Sequence, residues 1–74
     1  MKEIFLGYYR NYNVINNGNV PKVELFGLET EKDANYKVYI IGGILCIFQN
    51  SEILGDDKFV ERALSVFDVE FVGD

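Results

Sequence analysis

Two apolar segments on either side of a glycine pair constrain the fold more than any other feature of the sequence. Tyr36–Ile41 and Ile44–Gln49 flank Gly42-Gly43, and such a pair between apolar runs favours a two-residue β-hairpin. A single long strand bent at the glycines is the alternative. In the hairpin register one face carries Val38, Ile40, Leu45 and Ile47, and the other carries Tyr39, Ile41, Ile44, Cys46 and Phe48. Strands with one wet face alternate apolar and polar residues, so here both faces need cover.

Three more segments are predicted to complete the sheet. Residues 4–9 are rich in aromatic and aliphatic side chains, which is typical of a strand. Asn17-Gly18 is a strong turn signal that would pair an extended first strand with residues 20–28, and this register places Tyr8 opposite Gly27. Pro21 lacks an N–H, so that second strand begins there or lies at an edge. Residues 69–72 predict a short final strand.

A helix is predicted over residues 56–67. Gly55-Asp56-Asp57 offers an N-cap and negative charge at the positive end of the helix dipole. The helix would carry one apolar stripe, made of Phe59, Val60, Ala63, Leu64 and Phe67. The predicted fold is therefore an α+β domain spanning residues 1–74, with a small antiparallel or mixed sheet of about five strands (two hairpins plus a C-terminal strand) and one helix near the C-terminus.

One helix cannot cover both faces of such a sheet. Residues 56–67 would make a helix about 18 Å long that covers about two strands, enough for the aliphatic face. The second face would be left over, and we predict it to be an interface formed by Tyr39, Ile41, Ile44 and Phe48. Two outcomes stay open: the sheet curls into a small barrel and encloses this face, or another polypeptide covers it, either a second copy or a different protein.

The charge of the chain is acidic. Twelve Asp and Glu residues against seven Lys and Arg residues give a formal charge of −5. This balance disfavours direct binding to nucleic acid, and it suits either a solvated surface or attraction to a basic partner. The acidic residues predicted to face such a partner are Glu29, Glu31, Asp33, Asp56, Asp57 and Glu61.

Residues for catalysis and metal binding are scarce. The chain has no histidine, which is the usual general base, and Cys46 lies in an apolar segment where a thiol is typically a small buried hydrophobe. There is no metal-ligand spacing and no glycine-rich phosphate loop. The sequence therefore predicts no enzyme, no cofactor and no metal site.

One short segment has the composition of a recognition surface. Tyr8, Tyr9, Arg10 and Tyr12 are of the residue types that dominate adaptable binding surfaces. They would contact a partner or, in a homo-oligomer, bind a small nucleotide-like ligand between subunits. The alternative is a strand whose tyrosines alternate between the core and its rim.

These features favour a small acidic interaction protein in the cytoplasm. The specific hypothesis is an inhibitor or immunity-type protein, encoded by a phage or mobile element and acting in the host cytoplasm, that occupies the basic, nucleic-acid-binding surface of a partner protein. The first alternative is a homo-oligomeric binder of a small ligand. The second is an accessory subunit that completes the sheet of another protein through an edge near residues 20–28 or 69–72. Neither direct nucleic-acid binding nor membrane association is expected.

Overall fold

Six strands form one mixed sheet in the computed structural model, which describes residues 2–50, 58–62 and 66–73. The strands are β1 (Glu3–Asn17), β2 (Val20–Glu29), β3 (Tyr36–Ile41), β4 (Ile44–Gln49), β5 (Lys58–Arg62) and β6 (Asp68–Val72). Their order across the sheet is β5-β4-β3-β1-β2-β6. All neighbours are antiparallel except β2 and β6, which run parallel.

The hairpin at the glycine pair is confirmed in its predicted register. Val38 pairs with Ile47, and Tyr39 pairs with Cys46. Gly42 and Gly43 both have a positive φ, of 58° and 78°, which is the conformation of a type I′ hairpin turn and one that glycine adopts without strain. The chain therefore turns back here, and the alternative of a single bent strand is wrong.

The first hairpin forms one position away from its predicted turn. Asn17 pairs with Val20, so the central turn residues are Gly18 and Asn19 and not Asn17 and Gly18. Gly18 alone has a positive φ, of 70°, which matches a type II′ turn with glycine at its first central position. The register shifts accordingly. Tyr8 lies opposite Glu29, and the predicted pairing of Tyr8 with Gly27 is wrong.

The predicted helix is also wrong, and with it the α+β class. Residues 58–62 form strand β5 on the edge of β4, where Phe59 pairs with Phe48. Residues 66 and 67 are not helical, and Asp56, Asp57 and residues 63–65 lie outside the described residues. A short helix depends on a surface to pack against, whereas phenylalanine and valine favour strands and the edge of β4 offers unpaired backbone groups. The described chain is all-β.

The sheet buries its aliphatic face by curling. The core consists of Tyr9, Val23, Leu25, Val38, Leu45 and Ile47, all at most 4% exposed. Val60 of β5 and Val69 of β6 both pack against this one cluster, although these strands are the two edges of the sheet. Glu61 of β5 also acts electrostatically on Tyr12 of β1, although three strand spacings of ~4.8 Å would separate these strands in a flat sheet. Curvature therefore supplies the cover that was expected from a helix.

Strand β1 makes this curvature. Its first half pairs with β3 and its second half with β2, so that one strand belongs to two sections of the sheet. A bulge between Phe5 and Gly7 shifts the register with β3. Tyr9 and Tyr12 both pack against the core, although a regular strand would place residues three apart on opposite faces. The strand is thus irregular between them, opposite Gly27, whose φ is +67°.

We expect the burial of the core to be visible in a matched pair of isoleucine variants. Ile47 is fully buried, while Ile15 on β1 is 42% exposed. Ile47→Val should lower the free energy of unfolding by about 0.5–1.5 kcal/mol because it leaves a small cavity. Ile15→Val should cost less than about 0.5 kcal/mol. Urea denaturation measures both, and equal losses would contradict the assignment of the core.

Gly27 should be the glycine whose replacement by alanine is most informative. A Cβ there would clash with the guanidinium group of Arg10, and the positive φ strains any other residue. Gly27→Ala should destabilise the fold by about 1–3 kcal/mol. Adding Arg10→Ala removes the steric contact but not the strain, so the double variant should stay less stable than Arg10→Ala alone. Gly73→Ala is the control, because open space surrounds that position. Thermal denaturation distinguishes these outcomes.

Candidate interaction surfaces

Five aromatic side chains form a continuous row on the outer face of the sheet, opposite the core. We call Phe5, Tyr8, Tyr39, Phe48 and Phe59 the aromatic row. The ring centroid of Phe5 lies 4.9 Å from those of Tyr8 and Tyr39. The row continues from Tyr39 to Phe48 at 6.1 Å and from Phe48 to Phe59 at 5.4 Å. These separations, with mostly edge-to-face rings, are those that aromatic pairs prefer, so the rings hold one another in place.

The predicted interface residues lie together on this face. Tyr39 and Phe48 belong to the aromatic row, and Ile41 pairs with Ile44 at the turn end of the same hairpin. All four are partly exposed. Cys46 lies between them and is buried, with its thiol donating to the Ile44 carbonyl at 3.6 Å. The side chains that sequence reasoning grouped on one face therefore share it in the structure.

Of the three other members of the row, the sequence indicated only Tyr8, as part of the recognition segment, and it did not place Tyr8 beside Phe5 or Phe59. Phe59 was assigned to a helix, whereas it pairs with Phe48 on β5. Phe5 and Tyr8 are three residues apart on β1, a spacing that would separate them in a regular strand. The bulge between Phe5 and Gly7 brings both to the outer face, where Phe5 pairs with Tyr39 and Tyr8 with Lys37. A bulge of this kind leaves little signal in a single sequence.

One carboxylate and two cations, Glu3, Lys37 and Arg62, line clefts along the aromatic row. A shallow cleft beside it is lined by Glu3, Lys37, Tyr39, Ile41 and Phe48. The Lys37 ammonium lies 5.9 Å from the centre of the Tyr39 ring, within the range of a cation–π contact. At the other end of the face, Arg62 borders a second cleft with Phe59 and Cys46. The row is an apolar, aromatic surface with a polar rim.

The structure does not bring Tyr8, Tyr9, Arg10 and Tyr12 together. Tyr8 belongs to the outer face, while Tyr9 is buried on the inner face and donates its hydroxyl to the Leu6 carbonyl at 2.7 Å. Tyr12 packs against the core and meets the Tyr36 ring edge-on at 5.0 Å. Arg10 lies over Gly27, with its Nε 3.0 Å from a carboxylate oxygen of Glu29. Tyr8 therefore belongs to the outer face, Tyr9 and Tyr12 belong to the core and its margin, and Arg10 belongs to an ion pair.

The predicted acidic residues are also spread over the molecule. Glu29 is paired with Arg10, and Glu61 on β5 interacts electrostatically with Tyr12. Glu31 and Asp33 are exposed on the loop between β2 and β3. This loop is held by Asn50, whose amide donates to the Glu31 carbonyl, and by Asn35, whose amide donates to the Arg10 carbonyl. Asp56 and Asp57 lie outside the described residues.

A second surface with exposed apolar side chains lies where β2 and β6 meet. Leu28 is 74% exposed and Phe71 is 59% exposed. Together with Tyr9, whose ring centre is 6.1 Å from that of Phe71, they line a shallow cleft. The opposite face of the same strands carries Glu24, Asp68 and Glu70 beside Lys22. The sequence indicated the segments 20–28 and 69–72 as possible sheet edges, but it did not predict that they pair with each other, because this parallel pairing joins segments far apart in the chain.

The described residues offer no group of three or more His, Cys, Asp or Glu side chains placed to hold a metal ion. In the same part of the chain no helix is long and apolar enough to cross a membrane. The edge predicted near residues 20–28 is absent, since β2 lies between β1 and β6; β6 itself, which contains residues 69–72, is an edge strand.

One buried and one partly buried tyrosine should make stability fall at alkaline pH. Burial raises the pKa of Tyr9 above the ordinary value of 10.0, and burial together with the nearby Glu61 carboxylate raises that of Tyr12. Because both folded-state pKa values are raised, their contribution is fully present below pH 10 and is lost as the pH rises through the folded-state values. We therefore expect the free energy of unfolding to decrease above about pH 10.

Ultraviolet absorbance of phenolate measures the titration directly. Tyr12→Phe should remove one of the tyrosines that titrate at high pH. In a separate variant, Glu61→Gln should lower the pKa of Tyr12. Tyr39→Phe, on the outer face, serves as the control. If Tyr12 titrates at its ordinary pKa in the folded protein, the position of Tyr12 against the core and Glu61 is wrong.

Comparison of the chain with protein-family models, with curated proteins and with solved structures gave no match in any of the three.

Proposed function

We propose that this protein is a small acidic protein-interaction module and that the aromatic row is its contact surface for a partner. One observation supports this proposal above the others: five aromatic rings lie together on the sheet face that the described chain does not cover. Phe5 and Phe59 are each 46% exposed. Fully burying a side chain of this size contributes about 1.5–3 kcal/mol, so a partner that covers the row gains substantial binding energy.

The row is also preorganised for binding. Its rings lie on paired strands and contact one another at 4.9 to 6.1 Å, so little side-chain freedom is left to lose when a partner binds. Tyrosine and phenylalanine supply large contact area, and the hydroxyls of Tyr8 and Tyr39 are suited to the wetter margin of an interface. Aromatic residues are frequent among the side chains that dominate binding energy.

The charge of the chain favours a basic partner over a second copy. Two chains of charge −5 repel one another, whereas a basic surface is attracted over distances of about a Debye length. Of the predicted acidic residues in the described part of the chain, Glu29 lies opposite Tyr8 at one end of the aromatic row, whereas Glu31 and Asp33 lie on the loop between β2 and β3. The acidic residues would raise the rate of association through their field, while the row supplies affinity by contact.

The narrower form of the proposal is an inhibitor or immunity-type protein of the cytoplasm. It would cover the basic, nucleic-acid-binding surface of its partner and so keep nucleic acid away. A homo-oligomeric ligand binder is less well supported, because Tyr8, Tyr9, Arg10 and Tyr12 do not share a site. Self-association through the aromatic row is instead one outcome of the experiment below.

Site-specific photocrosslinking in the cells that encode the protein tests the row as a contact surface. A benzophenone amino acid replaces Phe5 or Phe59 in the row, and Val14 or Ile15 as controls. The control positions are similarly exposed, at 38% and 42%, but lie on β1 away from the row. We expect the row positions to give one discrete adduct with a basic protein, and the control positions to give none.

The purified complex then tests the two roles separately. Phe59→Ser should weaken binding roughly tenfold or more, while Val14→Ser leaves it unchanged. Raising the ionic strength should lower the association rate, and Glu31→Lys with Asp33→Lys should lower it further. A crosslink only to a second copy, or identical adducts from row and control positions, would overturn the proposed function. Binding that ignores both salt and charge reversal would overturn the basic partner.

A further inference from the structure

Strand β6 presents an open edge. It pairs with β2 on one side, and within residues 2–50, 58–62 and 66–73 no strand pairs with its other side. The backbone N–H and C=O groups on such an edge are a template for an added strand. Edge strands of this kind bind extended peptides when the side chains on both faces suit the incoming sequence.

The inner face of this edge is apolar. Val69 packs against the core, and Phe71 follows two residues later on the same face with 59% of its surface exposed. Leu28, 74% exposed, lies beside Phe71 and Tyr9 in the same cleft. An added strand would extend this face. Every second side chain of that strand would lie on the same face as Phe71 and Leu28, and an apolar residue there would pack against them.

The other face of the edge is acidic. Glu70 lies directly opposite Glu24, and Asp68 lies opposite Lys22. The Lys22 ammonium is 2.7 Å from a Glu70 carboxylate oxygen, so the one cation of this row is already paired. Three carboxylates against one ammonium leave an excess of negative charge that a basic side chain on the next strand would neutralise.

We propose that the edge of β6 binds an extended segment of a protein in which apolar and basic side chains alternate. The apolar residues would cover Phe71 and Leu28, and the Lys or Arg residues would face Asp68 and Glu70. A second copy fits poorly, because its own β6 would place Asp68 and Glu70 against the same residues. This surface is separate from the aromatic row, so the proposal stands or falls independently of the proposed function.

A synthetic peptide is a direct probe. A labelled strand of about seven residues in which Val and Lys alternate has the pattern described above. A peptide of the same composition with the valines in one block and the lysines in another has the same charge without the pattern. Fluorescence anisotropy at physiological ionic strength should show binding of the alternating peptide and at least roughly tenfold weaker binding of the block peptide.

Two variants and a mapping experiment locate the site. Phe71→Ser should weaken binding of the alternating peptide roughly tenfold, and Glu70→Lys should weaken it by a similar factor. Phe59→Ser, in the aromatic row, is the matched control and should leave peptide binding unchanged. Amide hydrogen exchange on the unmodified protein should show new protection within residues 68–72, which requires no variant to fold.

Several outcomes would overturn the proposal. Equal binding of the two peptides would mean attraction by charge alone, and protection elsewhere in the sheet would place the site elsewhere. If Phe71→Ser leaves binding of the alternating peptide unchanged, Phe71 is not part of the site and the proposed apolar contact is wrong. If light scattering shows a dimer that Phe71→Ser dissociates, the edge is occupied by a second copy and the basic strand is wrong. Loss of peptide binding leaves the crosslinking test of the aromatic row unaffected, so the two proposals fail separately.

Discussion

The packing of one small cluster of side chains governs this structure. Val38, Leu45 and Ile47 on one hairpin meet Val23 and Leu25 on the other, and none of these five side chains has any exposed surface. Because the sheet must curl to bring the hairpins together, valines from both of its edge strands reach the same cluster. A chain of 74 residues thus builds a core without a helix in the part described, but only on one side of its sheet.

This one-sided solution creates the outer surface. A sheet that wraps its aliphatic face inward turns its other face toward solvent, and here that face holds five aromatic rings. The sequence predicted that both faces of the central hairpin need cover. Curling covers the inner face, for which a helix was predicted. Tyr39, Ile41, Ile44 and Phe48 stay partly exposed on the outer face, so the sheet does not enclose them as a barrel would.

The sequence predicted local structure better than long-range structure. The hairpin at Gly42-Gly43 follows from two adjacent glycines and the apolar runs beside them, and its register was predicted residue for residue. The turn at Gly18 was misplaced by one position because Asn-Gly and Gly-Asn both suit hairpins. At Phe59 and Val60 a helical spacing and a strand are equally consistent with two neighbouring apolar residues. The edge of β4 decided between them, and that edge is visible only in three dimensions.

The parallel strand β6 has a consequence for how the molecule assembles. Each hairpin joins segments that are adjacent in the sequence and can form quickly. The pairing of β2 with β6 joins segments that are far apart, such as Lys22 and Asp68, and therefore forms more slowly. The two hairpins, joined by the pairing of β1 with β3, can therefore form before β6 docks, with Val23 and Leu25 still exposed beside the unpaired edge of β2. During that interval β2 has an unpaired edge and exposed apolar side chains. A chaperone or a neighbouring nascent chain would compete with β6 for this edge. The rate at which β6 pairs with β2 would therefore affect how much folded protein the cell obtains.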